Sequence, residues 1–221
     1  MCAMCRAAPY VAAWCAALLA FAVMTACASA HDTFPGDVWL TNRLQEQDGE
    51  LVADTLRWAS RMIEWPYWGV PALAASLYGL WVVGPRVAPL IVLAFLARFL
   101  NNPLKDLTGR PRPSPEEVDV ERLLTTLSFP SGHAYNAVIL YGLILFLVTL
   151  YVPWTWAQRP LQVVCILVIS GTGIERVYHG YHWPSDVVGG YICGALVASL
   201  LGALGLWLTG RLSLSRSQPV R

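Results

Sequence analysis

The fold is decided by residues 129–152, which read FPSGHAYNAVILYGLILFLVTLYV. From Ala134 onward this stretch is apolar and long enough to cross the hydrocarbon core of a bilayer as a helix, which takes about 20 residues. Pro130, Ser131 and Gly132 are typical of a helix start: Ser131 is expected to cap the helix, and free N–H groups there attract an anion. The stretch therefore predicts a membrane span that begins either as a plain helix N-terminus or beside an anion site.

Further apolar runs flank this span, at residues 9–28, 67–83, 87–100 (extendable to 107), 161–174 and 187–209. Hydrophobic residues make up 56% of the 221-residue chain and charged residues only 13%, with a mean hydropathy of +0.50. Soluble domains carry about 25% charged residues. We therefore predict an all-α protein, a six-span transmembrane helical bundle, or five spans if the N-terminal run is cleaved. The net charge of +1 indicates no nucleic-acid partner.

The N-terminal run, within residues 1–30, has three interpretations. It is a retained transmembrane helix, a signal peptide cut after the small residues 28–30, or a lipoprotein signal with Cys27 as the lipidated residue. We favour the retained helix, and all three interpretations place residue 31 outside the cytoplasm. Residues 31–64 then form an extracytoplasmic amphipathic segment, because apolar residues recur at helical spacing from Leu51 to Ile63. Residues 65–210 form the membrane core, and residues 211–221 a basic cytoplasmic tail.

Charged residues are divided unevenly between the two sides of the predicted bundle. The side with the N-terminus, the loops at 84–86 and 153–160 and the tail carries arginines only, whereas all 14 acidic residues fall on the other side. Lys and Arg in short loops favour the cytoplasm. The acid-free side is therefore predicted to be cytoplasmic, although the acidic side holds more of the 15 Lys and Arg residues. This places the protein in the cytoplasmic membrane with the acidic side facing out.

Three polar clusters fall on the predicted extracytoplasmic side. They are KDLTGRPRP at residues 105–113, FPSGH at 129–133 and ERVYHGYHWPSD at 175–186. The cations of the first cluster alone could be headgroup anchors, and His182 with Asp186 four residues later could be a structural pair. Together the clusters supply cations and N–H donors for an anion, and two histidines for a nucleophile and an acid. Their convergence on one face favours a catalytic site.

The order and spacing of these motifs resemble the type-2 phosphatidic acid phosphatase (PAP2) superfamily. Lys105 and Arg112-Pro113 match K-x6-RP, residues 130–133 match PSGH, and Arg176, His182 and Asp186 match R-x5-H-x3-D. The match extends over residues 67–209. The resemblance implies an integral-membrane enzyme with a PAP2-type catalytic core, which removes phosphate from a lipid without a metal or another cofactor.

The resemblance also implies a role for each matched residue. His182 is the expected nucleophile that forms a phosphohistidine, with Asp186 as its orienting partner. His133 is the expected acid that protonates the leaving group and then helps to activate water. The phosphate oxygens are expected to be bound by Lys105, Arg112, Ser131, the Gly132 backbone and Arg176.

Glu175 is a departure from the family, which usually has serine at this position. Its carboxylate would repel a phosphate, so we expect Arg176, Arg110 or another cation to neutralise it. Substrate preference is the property that this departure puts most in question. His179, nearby, is expected to face solvent, with a position lining the site, beside Tyr178 and Tyr181, as the alternative.

The identity of the substrate stays open at this level. Phosphatidate, phosphatidylglycerophosphate and polyprenyl diphosphates all fit, with undecaprenyl diphosphate as the specific expectation for a bacterial source. A lipid phosphotransferase would use the same intermediate, and a non-catalytic lipid-phosphate binder or transporter would need only the cations. The expected partners are the bilayer and the lipid phosphate, with the oligomeric state undetermined.

Overall fold

The computed structural model describes residues 3–47 and 49–210, and every regular element in that part of the chain is helical. The helices are α1 (Ala3–Ala30), α2 (Asp37–Gln45), α3 (Glu50–Arg61), α4 (Gly69–Val83), α5 (Ala88–Ala97), α6 (Asn101–Thr108), α7 (Gly132–Tyr151), α8 (Thr155–Tyr178) and α9 (Pro184–Leu208). The all-α prediction is confirmed. The predicted basic tail at residues 211–221 lies outside the described residues.

Helices long and apolar enough to cross a bilayer occur five times in the described chain, at Ala8–Ala30, Pro85–Thr108, Gly132–Tyr151, Thr155–Tyr178 and Pro184–Leu208. The second begins with a 3-10 turn at Pro85–Val87 and contains α5 and α6, which are joined by another 3-10 turn at Arg98–Leu100. α4 is also apolar but has only 15 residues. Five of the six predicted spans are therefore helices long enough to cross a bilayer. The remaining one, predicted at residues 67–83, is the shorter helix α4.

α8 is longer at both ends than the apolar pattern at residues 161–174 predicts. The pattern ends before the charged pair of Glu175 and Arg176, yet the helix continues to Tyr178. Both charged side chains are buried and hydrogen-bonded to each other. Because the two charges are paired inside the protein, Glu175 and Arg176 can be buried in the helix. The last turn of α8 consequently carries polar groups.

α1 packs against α9 and α6. The ring of Phe21 stacks on Phe129, with 6.1 Å between ring centroids, and Ala28 is buried. The helix therefore contacts the segment that leads into α7. Retention of residues 1–30 as a helix stays a prediction.

α7 lies at the centre of the bundle, packed between α8 and α9. Gly190 and Gly194, one turn apart on α9, allow a close approach between α9 and α7. A Cβ at Gly190 would lie 2.6 Å from the Ser131 carbonyl oxygen, and a Cβ at Gly194 would lie 2.9 Å from that of Tyr135. The close packing joins the two helix starts, and the Ser131 N–H donates to the Asp186 carbonyl at 3.0 Å.

α3 lies within residues 31–64, where the sequence predicts an amphipathic helix, and the extracytoplasmic location of this segment stays a prediction. Its apolar residues divide between two environments: Ala59 and the following Ile63 are buried, whereas Leu51 is 84% exposed. The buried side packs against α8, where the Thr172 hydroxyl donates to the Ala59 carbonyl at 3.2 Å. The end of α3 consequently lies beside the C-terminal turn of α8, and it brings Ser60 and Glu64 there.

Candidate active site

His182 and Asp186 meet at the junction between α8 and α9. His182 lies in the turn before α9 and Asp186 in the first turn of that helix, which brings the imidazole Nδ1 within 3.5 Å of Asp186 Oδ2. Both side chains are buried. The Ser128 hydroxyl contacts both, at 3.3 Å from Nδ1 and hydrogen-bonded to Oδ2. The junction therefore holds the imidazole against a carboxylate and a hydroxyl.

The Asp186 carboxylate is held in place by further donors. Arg110 donates to Oδ1 at 2.6 Å, and the Trp183 backbone N–H donates to Oδ2 at 2.9 Å. Arg110 is itself 1% exposed and also donates to Asp37 at 2.8 Å. A buried carboxylate requires such partners, because an unpaired charge in the interior is costly. Asp186 is thereby positioned to orient His182.

Arg110 and Ser128 belong to this arrangement but were not among the site residues predicted from the sequence. Arg110 had a usable signal, since it stands two residues before Arg112 in the same basic cluster. Ser128 directly precedes the FPSGH cluster, but no motif marks it. Its contacts join positions 54 and 58 residues apart, which only the folded chain brings together.

The second ring nitrogen of His182 faces a cation. Nε2 lies 3.2 Å from Arg112 NH1, and a guanidinium only donates hydrogen bonds. This network assigns Nε2 as the unprotonated nitrogen and places the ring proton on Nδ1, toward Asp186 and Ser128. Burial, followed by the nearby charges of Arg112 and Lys105, lowers the pKa of His182 well below its ordinary value. The imidazole is therefore neutral at pH 7, with a lone pair on Nε2.

Arg112 and Lys105 are both anchored to the segment that leads into α7. Arg112 donates to the Thr126 carbonyl at 2.7 Å, to the Thr126 hydroxyl at 2.9 Å and to the Tyr181 carbonyl. Lys105 donates to the carbonyls of Leu127 and Ser128. Burial lowers the pKa of the Arg112 guanidinium to about 10, so the group stays charged at pH 7. Lys105 and Arg112, both predicted to bind phosphate, are thus positioned by hydrogen bonds to the same segment, residues 126–128.

Ser131 and Gly132 stand at the start of α7, as predicted, and Ser131 occupies the N-cap position, but its hydroxyl makes no capping hydrogen bond. Its hydroxyl is buried and has no hydrogen-bond partner among the described residues. Buried hydroxyls normally have a partner, so this one is available to a ligand oxygen together with the free N–H groups of the first turn. A Cβ at Gly132 would lie 3.0 Å from Asn101 Nδ2, so glycine suits this position.

His133 lies in a second group of contacts, with Arg176 and Glu64. Its Nε2 is 3.4 Å from Arg176 NH1 and 3.5 Å from Glu64 Oε1. Arg176 also donates to the Ser60 hydroxyl at 2.7 Å. Glu64 and Ser60 carried no sequence signal, because no motif surrounds them and they lie far from the three clusters in the chain. The α3–α4 region therefore completes the surroundings of the predicted acid.

Glu175 binds Arg176, one of the two cations expected to neutralise it, through both carboxylate oxygens. Arg110, the other named cation, is bound to Asp186 and Asp37 instead. Arg176 already donates hydrogen bonds to Glu175, so fewer of its N–H groups are free to bind a phosphate. The prediction that His179 faces solvent is wrong: the ring is 6% exposed, and its Nδ1 lies 3.3 Å from Glu121.

Histidine, cysteine and carboxylate side chains form no cluster of three suited to a metal ion in residues 3–47 and 49–210. The groups that do converge are cations, N–H donors, an unpartnered hydroxyl and a neutral imidazole supported by a carboxylate. Phosphoryl transfer depends mainly on positioning and on compensation of charge at the phosphate oxygens. The arrangement has the parts that such a reaction uses.

These features define a class: helical integral-membrane proteins in which loops and helix starts assemble a cationic site around a His–Asp pair. The chain belongs to the PAP2 superfamily, whose sequence model matches residues 86–208, more than half of its length. The resemblance carried by the three motifs is thereby confirmed.

Two bacterial proteins similar to this chain carry the names of lipid phosphatases. The chain is 34% identical over 105 residues to phosphatidylglycerophosphatase B of Bacillus subtilis, covering 47% of this chain and 50% of that protein. It is 32% identical over 158 residues to lipid A 4'-phosphatase of Bacteroides thetaiotaomicron, covering 65% and 67%. The matched stretch thus spans only half of the former relative.

The fold is also similar to a crystal structure, that of a transmembrane PAP2 type phosphatidylglycerolphosphate phosphatase from Bacillus subtilis. The TM-score is 0.75 over 93% of this chain and 98% of that one, at 18% sequence identity. At this identity the similarity establishes the fold. The prediction of a PAP2-type helical bundle is confirmed.

Proposed function

We propose that the chain is a membrane lipid phosphatase, which hydrolyses a phosphate monoester or the terminal phosphate of a diphosphate headgroup through a phosphohistidine on His182. The observation that carries the proposal is the surroundings of His182. Its Nδ1 faces Asp186 and Ser128, and its unprotonated Nε2 faces Arg112, where an anion would be held.

The reaction divides into two displacements. Nε2 of His182 attacks phosphorus, the bond to the leaving oxygen breaks, and His133 gives that oxygen its proton. Water then attacks the phosphohistidine, giving a proton to His133 and releasing inorganic phosphate and free His182. The phosphate oxygens are bound throughout by the five predicted ligands, Lys105, Arg112, Ser131, the Gly132 backbone and Arg176. Side-chain cations supply the charge compensation, so the reaction proceeds without a metal ion.

Support for a lipid substrate comes from the position of the site and from the relatives. The site lies at the ends of apolar helices, where a substrate's tail can remain in the bilayer. The named relatives act on phosphatidylglycerophosphate and on lipid A. The distribution of arginines and acids supports an extracytoplasmic site on the cytoplasmic membrane.

The decisive experiment measures phosphate release by detergent-purified protein. The substrates are phosphatidate, phosphatidylglycerophosphate, farnesyl diphosphate and undecaprenyl diphosphate, each tested with the wild type and His182→Ala. We expect release from at least one lipid by the wild type and none above background by the variant. Equal activity of the two proteins would overturn the proposal.

Two further measurements separate hydrolysis from the alternatives. In 18O-labelled water, a hydrolase places one labelled oxygen in each released phosphate, whereas a phosphotransferase leaves free phosphate largely unlabelled. Activity is also expected to survive EDTA. Loss of activity on chelation would contradict a reaction that proceeds without a metal ion.

A further inference from the structure

A cavity lies beside the predicted catalytic histidines, between the end of α3, the loop near residue 121 and the last turn of α8. Its volume is about 460 Å³, within the range of about 300–1,000 Å³ that small-molecule sites occupy. It is therefore larger than a single phosphate needs. The cavity, called here the arginine cavity, is lined by Arg57, Arg61, Arg122 and Arg176.

Two of the four guanidiniums in the arginine cavity are already paired within the protein. Arg57 binds Glu121 at 3.1 Å, and Arg176 binds Glu175. Arg61 and Arg122 make no ion pair or side-chain hydrogen bond with any residue that the structure describes, and both are exposed. The charge of Arg61 acts on Glu64 only at longer range, where it contributes to the lowered pKa of that carboxyl. The cavity therefore offers two cations without an ion-pair partner, beside the carboxylates of Glu64, Glu121 and Glu175, which can accept hydrogen bonds from hydroxyl groups.

The cavity adjoins the catalytic site on the side of His133. Arg176 and Glu64 both line the cavity, and both contact His133 Nε2, at 3.4 and 3.5 Å. In the proposed reaction His133 protonates the leaving oxygen. The part of the substrate attached to that oxygen consequently lies toward the arginine cavity, whereas the transferred phosphate lies toward His182.

We propose that the arginine cavity binds the polar part of the leaving group, and that this part carries a second anionic group attached through a hydroxylated linker. Arg61 and Arg122 bind the second anion, while Glu121 and Tyr181 accept hydrogen bonds from the linker hydroxyls. If the leaving group were purely hydrocarbon, it would offer these charged side chains no polar partner, and they would interact with water alone. The inference rests on the proposed function and narrows its substrate class to lipids such as phosphatidylglycerophosphate, whose leaving group contains a glycerol hydroxyl and a phosphodiester.

The test compares two lipids that differ in the leaving group. Dioleoyl phosphatidylglycerophosphate and dioleoyl phosphatidate share their acyl chains and a terminal phosphate monoester, and both are presented in a neutral detergent. In the double variant R61Q/R122Q, the ratio of kcat/KM for the first lipid to that for the second is expected to fall about tenfold, mainly through KM, because two charge-assisted contacts are lost.

Arg43→Gln is the matched control, since Arg43 is an exposed arginine on α2 that pairs with Glu46 outside the cavity. Its ratio is expected to equal that of the wild type. The inference is overturned if R61Q/R122Q keeps the wild-type ratio. It is equally overturned if both lipids lose activity by the same factor, which would mean that the arginines attract lipid headgroups in general.

A binding measurement separates failure of this inference from failure of the proposed function. Wild-type protein that hydrolyses no lipid phosphate contradicts the proposed function. Independently of turnover, glycerol 1,3-bisphosphate is expected to bind wild-type protein more tightly than inorganic phosphate does, and R61Q/R122Q is expected to lose that difference. Identical binding of the bisphosphate by both proteins overturns the assignment of the cavity.

Discussion

Arg110 and Asp186 form an ion pair closed off from solvent, with 2.6 Å between NH1 and Oδ1 and both side chains 0% exposed. The pair joins the basic cluster after α6 to the start of α9. It also sets the position of the carboxylate that faces His182. The geometry of the proposed catalytic pair therefore depends on a cation that does not itself face the histidine.

Arg110→Gln is expected to destabilise the protein by about 3–5 kcal/mol, because Asp186 and Asp37 would remain buried without their cation. Unfolding in a neutral detergent, followed by heat or denaturant, measures the change. Arg43→Gln removes an exposed pair and is expected to cost at most about 1 kcal/mol. If the two variants have the same free energy of unfolding, the buried ion pair does not stabilise the fold.

The pH dependence of activity is expected to report the lowered pKa of His182. Activity falls as pH drops through this pKa, because the protonated ring has no lone pair, so the acidic limb of kcat/KM lies below pH 6.5. In Arg112→Gln one of the charges that lower the pKa is gone, and the limb is expected to move to higher pH. Arg112→Lys keeps the charge and is expected to stay nearer the wild type. If the acidic limb of kcat/KM lies at the same pH in the wild type and both variants, the charge of Arg112 does not lower the pKa of His182.

The apolar helices were predictable from the sequence, because a span needs only a long run of residues of one kind. The contacts that bury polar groups were not. α8 continues past its apolar run because Glu175 and Arg176 pair inside the protein, a fact that depends on their surroundings.

Within the site, the motif residues were predictable because their spacing is local. Glu64 and Ser128 were not, since each meets its histidine only through the folding of distant segments. Of two expectations for single residues, one was wrong and the other was met only in part, because packing decides both. His179 was expected to face solvent but is buried, and Ser131 takes the N-cap position of α7 without a capping hydrogen bond from its hydroxyl.

Glu175→Ser, which restores the residue usual in the family, is expected to strengthen phosphate binding. The carboxylate now holds Arg176 and repels an anion, so its removal frees guanidinium donors for the substrate. We expect KM and the inhibition constant of inorganic phosphate to fall about threefold to tenfold. Stability is expected to decrease by about 1–3 kcal/mol, since Arg176 loses a buried partner. A rise in both constants would show that Glu175 positions Arg176 productively.

Glu64→Gln is expected to lower kcat about tenfold with little change in KM, because Glu64 supports the proton transfer by His133. The hydrogen bond to His133 lowers the pKa of Glu64, so the carboxylate is charged at the pH of the assay. p-Nitrophenyl phosphate, whose leaving group needs no proton, is the diagnostic substrate. The defect is expected to be smaller with it than with a lipid phosphate. A defect of equal size on both substrates would assign Glu64 to binding or folding.

Gly190→Ala is expected to disrupt the site through packing alone. The added Cβ would lie 2.6 Å from the Ser131 carbonyl and 3.0 Å from the Ala134 Cβ, so α9 must move away from α7. That movement separates the start of α7, with its phosphate ligands, from Asp186 and His182, and both stability and kcat are expected to fall. Gly142→Ala is the matched control, since its nearest contacts lie at 3.8 and 3.9 Å. Alanine is the better helix former, so this control is expected to be neutral or slightly stabilising. Equal behaviour of the two variants would mean that the α7–α9 contact does not set the catalytic geometry.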